Sequence, residues 1–312
     1  MTPAELKASL RLPVIAAPMF LVSGPDLVIA ACRAGVLGAF PTDNARSAAD
    51  LEAWLTRIAR ELAPRDGRSG RPYAVNLNVA GRDSPRFRED LDLVRRFAPP
   101  VVITSVGHPG EVVALAHAYG GLVFHDIASI RHAEKAIEAG VDGLILLTAG
   151  AGGHTGAANP FAFVRDVRRR WDGPIVLAGG LGDGRSVRAA EILGADFAYM
   201  GTRFAATTES LAPPDYKALL VSQQMADVLT TDRVSGLTAT VLRGSVLRVG
   251  LDPDDLPPRQ GLLRSGLPPH LKAWRDIWSG GHVVGLIDDI LPAAALVDRI
   301  EQEYRAAALA PA

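Results

Sequence analysis

Eight short apolar runs precede residue 205, and most are continuous rather than alternating. They are Val14–Met19, Val36–Phe40, Tyr73–Val79, Val101–Val106, Leu122–Ile127, Gly143–Thr148, Pro174–Gly180 and Phe197–Phe204. Strands buried on both faces read this way. Helical patterns separate them. Ser129 or Ser23 is placed to cap a helix start, and Gly140 and Gly194 follow the last helical turn as C′ glycines. The segments EKAIEAGVDGLILL and RAAEILGADFAYM share a pattern, as if one βα unit were used twice. Eight βα units predict a (β/α)8 TIM barrel. An open doubly wound sheet would also alternate, but no run reads as an antiparallel edge strand, which favours closure.

The rhythm changes after residue 204. Prolines pair at Pro213-Pro214, Pro257-Pro258 and Pro268-Pro269. A helical piece, Asp215–Leu229, precedes a strand-like Thr240–Val249. The expected organisation is a barrel made of residues 11–204 and 270–312, with residues 205–269 as an appended cap segment. The tail reads as a helix, Ile290–Leu309, with Leu296, Val297, Ile300 and Tyr304 at helical spacing.

The chain has 312 residues, 48% hydrophobic, enough for one large core. A net charge of −1 argues against nucleic acid or an anionic membrane as the main partner. The basic stretch Arg165–Arg170 lies on a predicted amphipathic helix and reads as a solvated face. The single cysteine, Cys32, sits in an apolar helical run and reads as buried and inert. No apolar stretch is long enough to span a bilayer, so a cytoplasmic protein is expected.

The chemistry concentrates at strand ends. The seventh run stops in Ala178-Gly179-Gly180, followed by Leu181-Gly182-Asp183-Gly184, and the eighth contains Met200-Gly201-Thr202. In such barrels the site lies at the C-terminal ends of the strands, with phosphate beyond strands seven and eight. Glycines there let backbone N–H groups approach an anion. Tight βα turns would use the same glycines, but the barrel positions favour phosphate. The spacing does not match the dinucleotide fingerprint.

His154 follows the sixth run in Gly152-Gly153-His154-Thr155-Gly156. Flanking glycines give it no local core, so it reads as an imidazole over a ligand, able to exchange a proton near neutral pH. His125 and Asp126 end the fifth run, and alternation sends only one of them into the barrel mouth. Asn76, in an apolar strand, needs a hydrogen-bond partner, either on a neighbouring strand or in a ligand. Ala17-Pro18-Met19 end the first run and suit the edge of a flat ring. His282 lies in a late loop within possible reach of the site. No histidine spacing resembles a zinc site.

Together, Ala17-Pro18-Met19, Val75-Asn76, Gly152-Gly153-His154-Thr155-Gly156, Ala178-Gly179-Gly180 with Asp183-Gly184, and Met200-Gly201-Thr202-Arg203-Phe204 resemble the nitronate monooxygenases, formerly 2-nitropropane dioxygenases. The similarity runs from Pro13 to about Glu209 and resumes at Trp278–Pro292. Flavin-dependent enoyl-acyl-carrier-protein reductases of the same superfamily carry a very similar set. The resemblance implies a TIM barrel holding non-covalent FMN. Gly179, Gly180, Gly201 and Thr202 would hold the phosphate. Ala17, Pro18, Met19 and Asn76 would meet the isoalloxazine and ribityl, and His125, Gly152, Gly153 and Ala178 are further expected contacts. His154 would be catalytic, taking a carbon-bound proton from a nitroalkane or hydrogen-bonding a nitronate. Single-electron transfer through the flavin would then use O2 as oxidant.

The expected partners are an alkyl nitronate or nitroalkane and O2, with no nucleic acid or membrane; a homodimer is a compatible assembly. The alternatives are an NAD(P)H-dependent enoyl reductase and a flavin-binding barrel without catalysis. Two positions depart from the relatives. Many have lysine where Asp126 stands, and glutamine is frequent at His282.

Overall fold

The computed structural model describes residues 1–64 and 70–308. Eight parallel strands close into a barrel: β1 (Val14–Ala16), β2 (Leu37–Pro41), β3 (Tyr73–Asn78), β4 (Val101–Ser105), β5 (Leu122–Ile127), β6 (Gly143–Leu147), β8 (Ile175–Ala178) and β9 (Phe197–Met200), with β9 pairing back onto β1. A two-residue strand, β7 (Gly153–His154), lies outside this ring. The closed barrel is the architecture expected from the sequence, with several strands shorter than their apolar runs.

Alternation along each strand sorts two cores. Ile15, Leu37, Ala74, Ile103, Phe124, Ile145, Val176 and Phe197 point inward and fill the barrel, where the Phe124 and Phe197 ring centroids lie 6.1 Å apart. Gly143 is required beside them, because a Cβ there would run into the Phe124 ring. Their strand neighbours, such as Val75, Val102, Val123 and Leu144, point outward into the helical layer. An N-terminal helix, Pro3–Ser9, inserts fully buried Leu6 into the interior cluster. The Met1 amino group meets the Gly120 carbonyl just before β5, which places this helix at the N-terminal end of the barrel.

The two similar βα segments use one device. Asp142 and Asp196 each precede a strand, and each carboxylate accepts an N–H from the neighbouring strand: Val123 N at 2.7 Å and Ile175 N at 2.9 Å. Gly140 and Gly194 adopt φ of 82° and 106°, as helix-ending glycines do. Ser129 caps its helix, but Ser23 does not: its Oγ donates to the Ala17 carbonyl, and Gly24 stands at the N-cap. Cys32 is buried, and burial pushes its thiol up to about 12.

Residues after 204 form helix Pro214–Ser222, strands β10 (Val228–Thr231) and β11 (Ala239–Leu242), and helix Arg243–Arg248. The expected long helix therefore stops at Ser222, and the strand-like run splits into β11 and a helix. β11 pairs antiparallel with β10 on one side and with β7 on the other. The tail helix, Ala293–Ala308, buries Leu296, Val297 and Ile300; Leu309 of the expected helix lies outside the described residues.

The tail helix packs against helices Gly184–Leu193 and Pro25–Ala34. Contact with the first is backbone to backbone: a Cβ on Gly184 would land on Tyr304 N and Ile300 O, and Gly184 N donates to Glu303 Oε2 at 2.9 Å. Gly184→Ala should therefore force the helices apart and destabilise the protein by about 1–3 kcal/mol. Urea unfolding measures this, and an unchanged midpoint would rule out the close approach.

Candidate active site

The inward row of side chains ends in a cavity of about 370 Å³ at the C-terminal mouth of the barrel, within the range of small-molecule sites. Ala17, Asn76, Ser105, Asp126, Leu147, Ala178 and Tyr199 line it from the strand ends. Pro18, Met19 and Phe20 line it from the turn after β1, and Tyr216, Trp274 and Ser279 from the chain beyond residue 204.

Of the residues singled out in the sequence, Ala17, Pro18, Met19, Asn76, Gly152, Gly153, His154, Ala178, Gly179, Gly180, Gly201 and Thr202 all line this cavity. His125 does not. Phe124 and Asp126 take the inward positions of β5, so His125 turns outward, where its Nδ1 meets Thr104 Oγ1 at 2.8 Å. Burial pushes its imidazole down to about 4. The expectation that His125 contacts the ligand is corrected on this ground. His282 packs its ring on Gly150, where an added Cβ would fall 2.6 Å from Nδ1, and it too is absent from the cavity wall. Asn76 has a neighbouring-strand partner: its Nδ2 donates to Ile103 O and Ser105 Oγ, both at 3.3 Å.

The glycines behave differently from one another. Gly179 and Gly180 adopt φ of 125° and 73°, where side chains are strained. A Cβ on Gly179 would strike Thr148 Oγ1, whereas one on Gly180 meets nothing within 4 Å and would project into open space. The Gly180 N–H has no protein acceptor among the described residues. Gly201 has an ordinary φ of −95°, so its backbone does not need glycine; a side chain there would enter the space beside Met19.

No lysine or arginine lines the cavity among the described residues. Arg203, despite its place after Gly201-Thr202, is buried elsewhere and pairs with Asp289 at 2.5 Å. An anion in this cavity would be held by backbone.

His154 departs from the sequence reading of an unsupported loop residue. It sits in β7, paired with Ala239 of β11, with its ring edge-on to Trp274 at 5.5 Å and its Nε2 3.3 Å from Ser235 Oγ. The loop is pinned on both sides: Thr155 N donates to Thr238 O, Thr240 Oγ1 to Ala151 O, and Gly153 N to Ser279 Oγ. Burial lowers the His154 pKa from its usual 6.5, which keeps the ring neutral at pH 7. Ser235, Trp274, Tyr216 and Ser279 had no local signature, because tertiary pairing brings them in.

Asp126 occupies the inward end of β5, enclosed by protein while part of its surface faces the cavity. Its Oδ1 has no hydrogen-bond partner among the described residues, and burial raises its pKa to about 7.

The family model for nitronate monooxygenase matches residues 65–302. A nitronate monooxygenase of Pseudomonas aeruginosa is 30% identical over 272 residues, 73% of this chain and 75% of that protein. The (3aS,4S,5R,7aS)-5-hydroxy-7a-methyl-1-oxo-octahydro-1H-indene-4-carboxyl-CoA dehydrogenase of Rhodococcus jostii is 31% identical over 230 residues, 74% of this chain but only 62% of that protein. The match thus spans less than two thirds of that dehydrogenase. Among solved structures, FabK from Thermotoga maritima superposes with a TM-score of 0.78 at 26% identity, covering 99% of this chain and 97% of that one. The nitroalkane oxidase of Streptomyces ansochromogenes, at 24% identity, gives the same TM-score over 97% and 98% of the two chains and shares the fold. With the barrel, the glycine-rich strand ends and the histidine loop in place, the chain belongs to the nitronate monooxygenase family.

Proposed function

We propose that the chain binds FMN non-covalently and oxidises alkyl nitronates, with nitroalkanes as further substrates and O2 as oxidant. The observation that carries this reading is a neutral, positioned imidazole, His154, in the same cavity as a glycine cradle free of cationic side chains. The residues present suit FMN: the open space at Gly180 admits a phosphate against bare backbone, and the Gly201 position has room beside Met19 for close approach. Bound FMN would supply single-electron oxidation of the substrate.

The chain's own part is proton handling and orientation. Ser235 Oγ donates to Leu237 O at 3.1 Å, so toward His154 it serves as acceptor for the Nε2–H at 3.3 Å. That arrangement leaves the Nδ1 lone pair of a neutral ring for a carbon-bound proton. Because the His154 pKa is lowered, the base is competent at neutral pH and is lost only as pH falls below 6.5. Met19, Phe20, Tyr216 and Trp274 give the mouth an apolar and aromatic rim suited to an alkyl chain.

Gly180→Val and Gly201→Val should each lose bound flavin while keeping a folded barrel, the first by strain and occupancy and the second by occupancy alone. Stoichiometric flavin in both purified variants, by visible absorption, would place the phosphate elsewhere.

Hydride transfer is the second reading, favoured by the match to a CoA dehydrogenase. Anaerobic mixing separates the two: propionate 3-nitronate should bleach the flavin and NADH should not, and the opposite pattern would make the chain a reductase. In the same experiment, His154→Asn should slow flavin reduction by a neutral nitroalkane about 10²–10⁴-fold. Reduction by the corresponding nitronate, already deprotonated, should suffer less. Equal losses would leave His154 a binding group only.

A further inference from the structure

We propose that Asp126 is a hydrogen-bond donor to the bound cofactor, its carboxyl staying protonated and offering its O–H to an acceptor atom of the isoalloxazine. The inference rests on the flavin reading of the cavity and assigns a role to a residue which that reading leaves idle.

The geometry is the first support. Asp126 lies next to the end of β5 on the inward side, lines the cavity, and carries an Oδ1 with no hydrogen-bond partner among the described residues. A buried polar atom without a partner costs free energy that a ligand can recover. Charge is the second support. Among the described residues no lysine or arginine lines the cavity, so an ionised Asp126 would have no counter-ion from them. An unpaired charge in such a place neutralises instead, in line with a pKa raised to about 7 by burial. The third support is chemical complementarity. The pyrimidine part of an isoalloxazine presents carbonyl oxygens and a ring nitrogen as acceptors. A carboxylate would meet these lone pair to lone pair, whereas a protonated carboxyl completes a hydrogen bond.

The other titratable groups around the cavity are Asp43 after β2, His154 of β7, Tyr199 of β9 and Tyr216 of helix Pro214–Ser222. On the outer side of β5 lies His125, with His108 and His132 near enough to influence it. Burial, and secondarily the Asp126 charge, hold the Tyr199 hydroxyl un-ionised. Asp126→Asn retains all of these groups, and the ionisation of the ligand's own phosphate, while replacing the carboxyl by a neutral side chain with an N–H donor. Differences between wild type and this variant therefore isolate Asp126.

The test is the FMN dissociation constant of apo-protein from well below to well above pH 7, in wild type and Asp126→Asn. Wild-type affinity should fall more steeply, by up to about tenfold per pH unit relative to the variant once the carboxyl ionises. At low pH the two should bind alike. Parallel profiles would overturn the inference while leaving the cofactor assignment intact; failure of wild type to bind any flavin would overturn both.

A second measurement needs no flavin. The folded-state pKa lies above the reference 3.8, so the unfolded chain ionises first and the native state loses stability as pH rises from 3.8 to about 7, levelling off above. Apo wild type should therefore lose ground to apo Asp126→Asn across that window in thermal midpoint. A constant gap between them would show the carboxyl already ionised in the folded protein and would overturn the inference.

Discussion

Two residues of backbone pairing hold the site together. Gly153 and His154 form β7, and β7 pairs with Ala239 and Thr240 of β11. Without that pairing, the glycine-rich stretch after β6 would be a loop with four glycines and little to fix it. With it, the imidazole has a defined direction, Trp274 stands against its ring, and Ser235 reaches its Nε2. Gly150 and Gly152 then sit so close to Gly281 that a Cβ on Gly281 would meet Gly150 O at 2.5 Å and Gly152 N at 2.8 Å. The segment beyond residue 204 is thus a wall of the cavity, and the barrel alone would present an incomplete site.

The second constraint is electrostatic. The cavity holds two carboxyl side chains, Asp43 and Asp126, and one histidine, with no lysine or arginine among the described residues. An anion there would meet backbone at glycine turns, and burial favours the neutral forms of His154 and Asp126. A neutral imidazole can accept a proton, and a neutral carboxyl can donate a hydrogen bond. In water near pH 7 an ordinary carboxylate could not play the second part. The enclosure that the strand ends and the chain beyond residue 204 build is therefore also what sets the chemistry.

Most of the fold was legible because buried parallel strands leave a strong local mark: unbroken apolar runs separated by glycine-ended helices. The cradle glycines, His154, Asn76 and the Ala17-Pro18-Met19 turn were legible because each breaks the rule of its surroundings. Alternation correctly allowed one of His125 and Asp126 into the mouth, but the resemblance pointed to His125; the inward packing of Phe124 settles it for Asp126. Ser235, Trp274 and Tyr216 were invisible, because only tertiary contacts with residues far away in the chain bring them in. The splitting of Thr240–Val249 into a strand and a helix was missed for a related reason: its apolar residues serve β11 first and then one helical face.

The central claim is that backbone at Gly179-Gly180 and Gly201-Thr202 grips the phosphate of FMN. The direct measurement is the identity of the cofactor released on heating the purified, coloured protein, resolved by chromatography against flavin standards. The account predicts FMN, at a stoichiometry matching the visible absorption of the intact protein. Release of FAD, or a colourless protein that cannot be reconstituted with FMN, would contradict it.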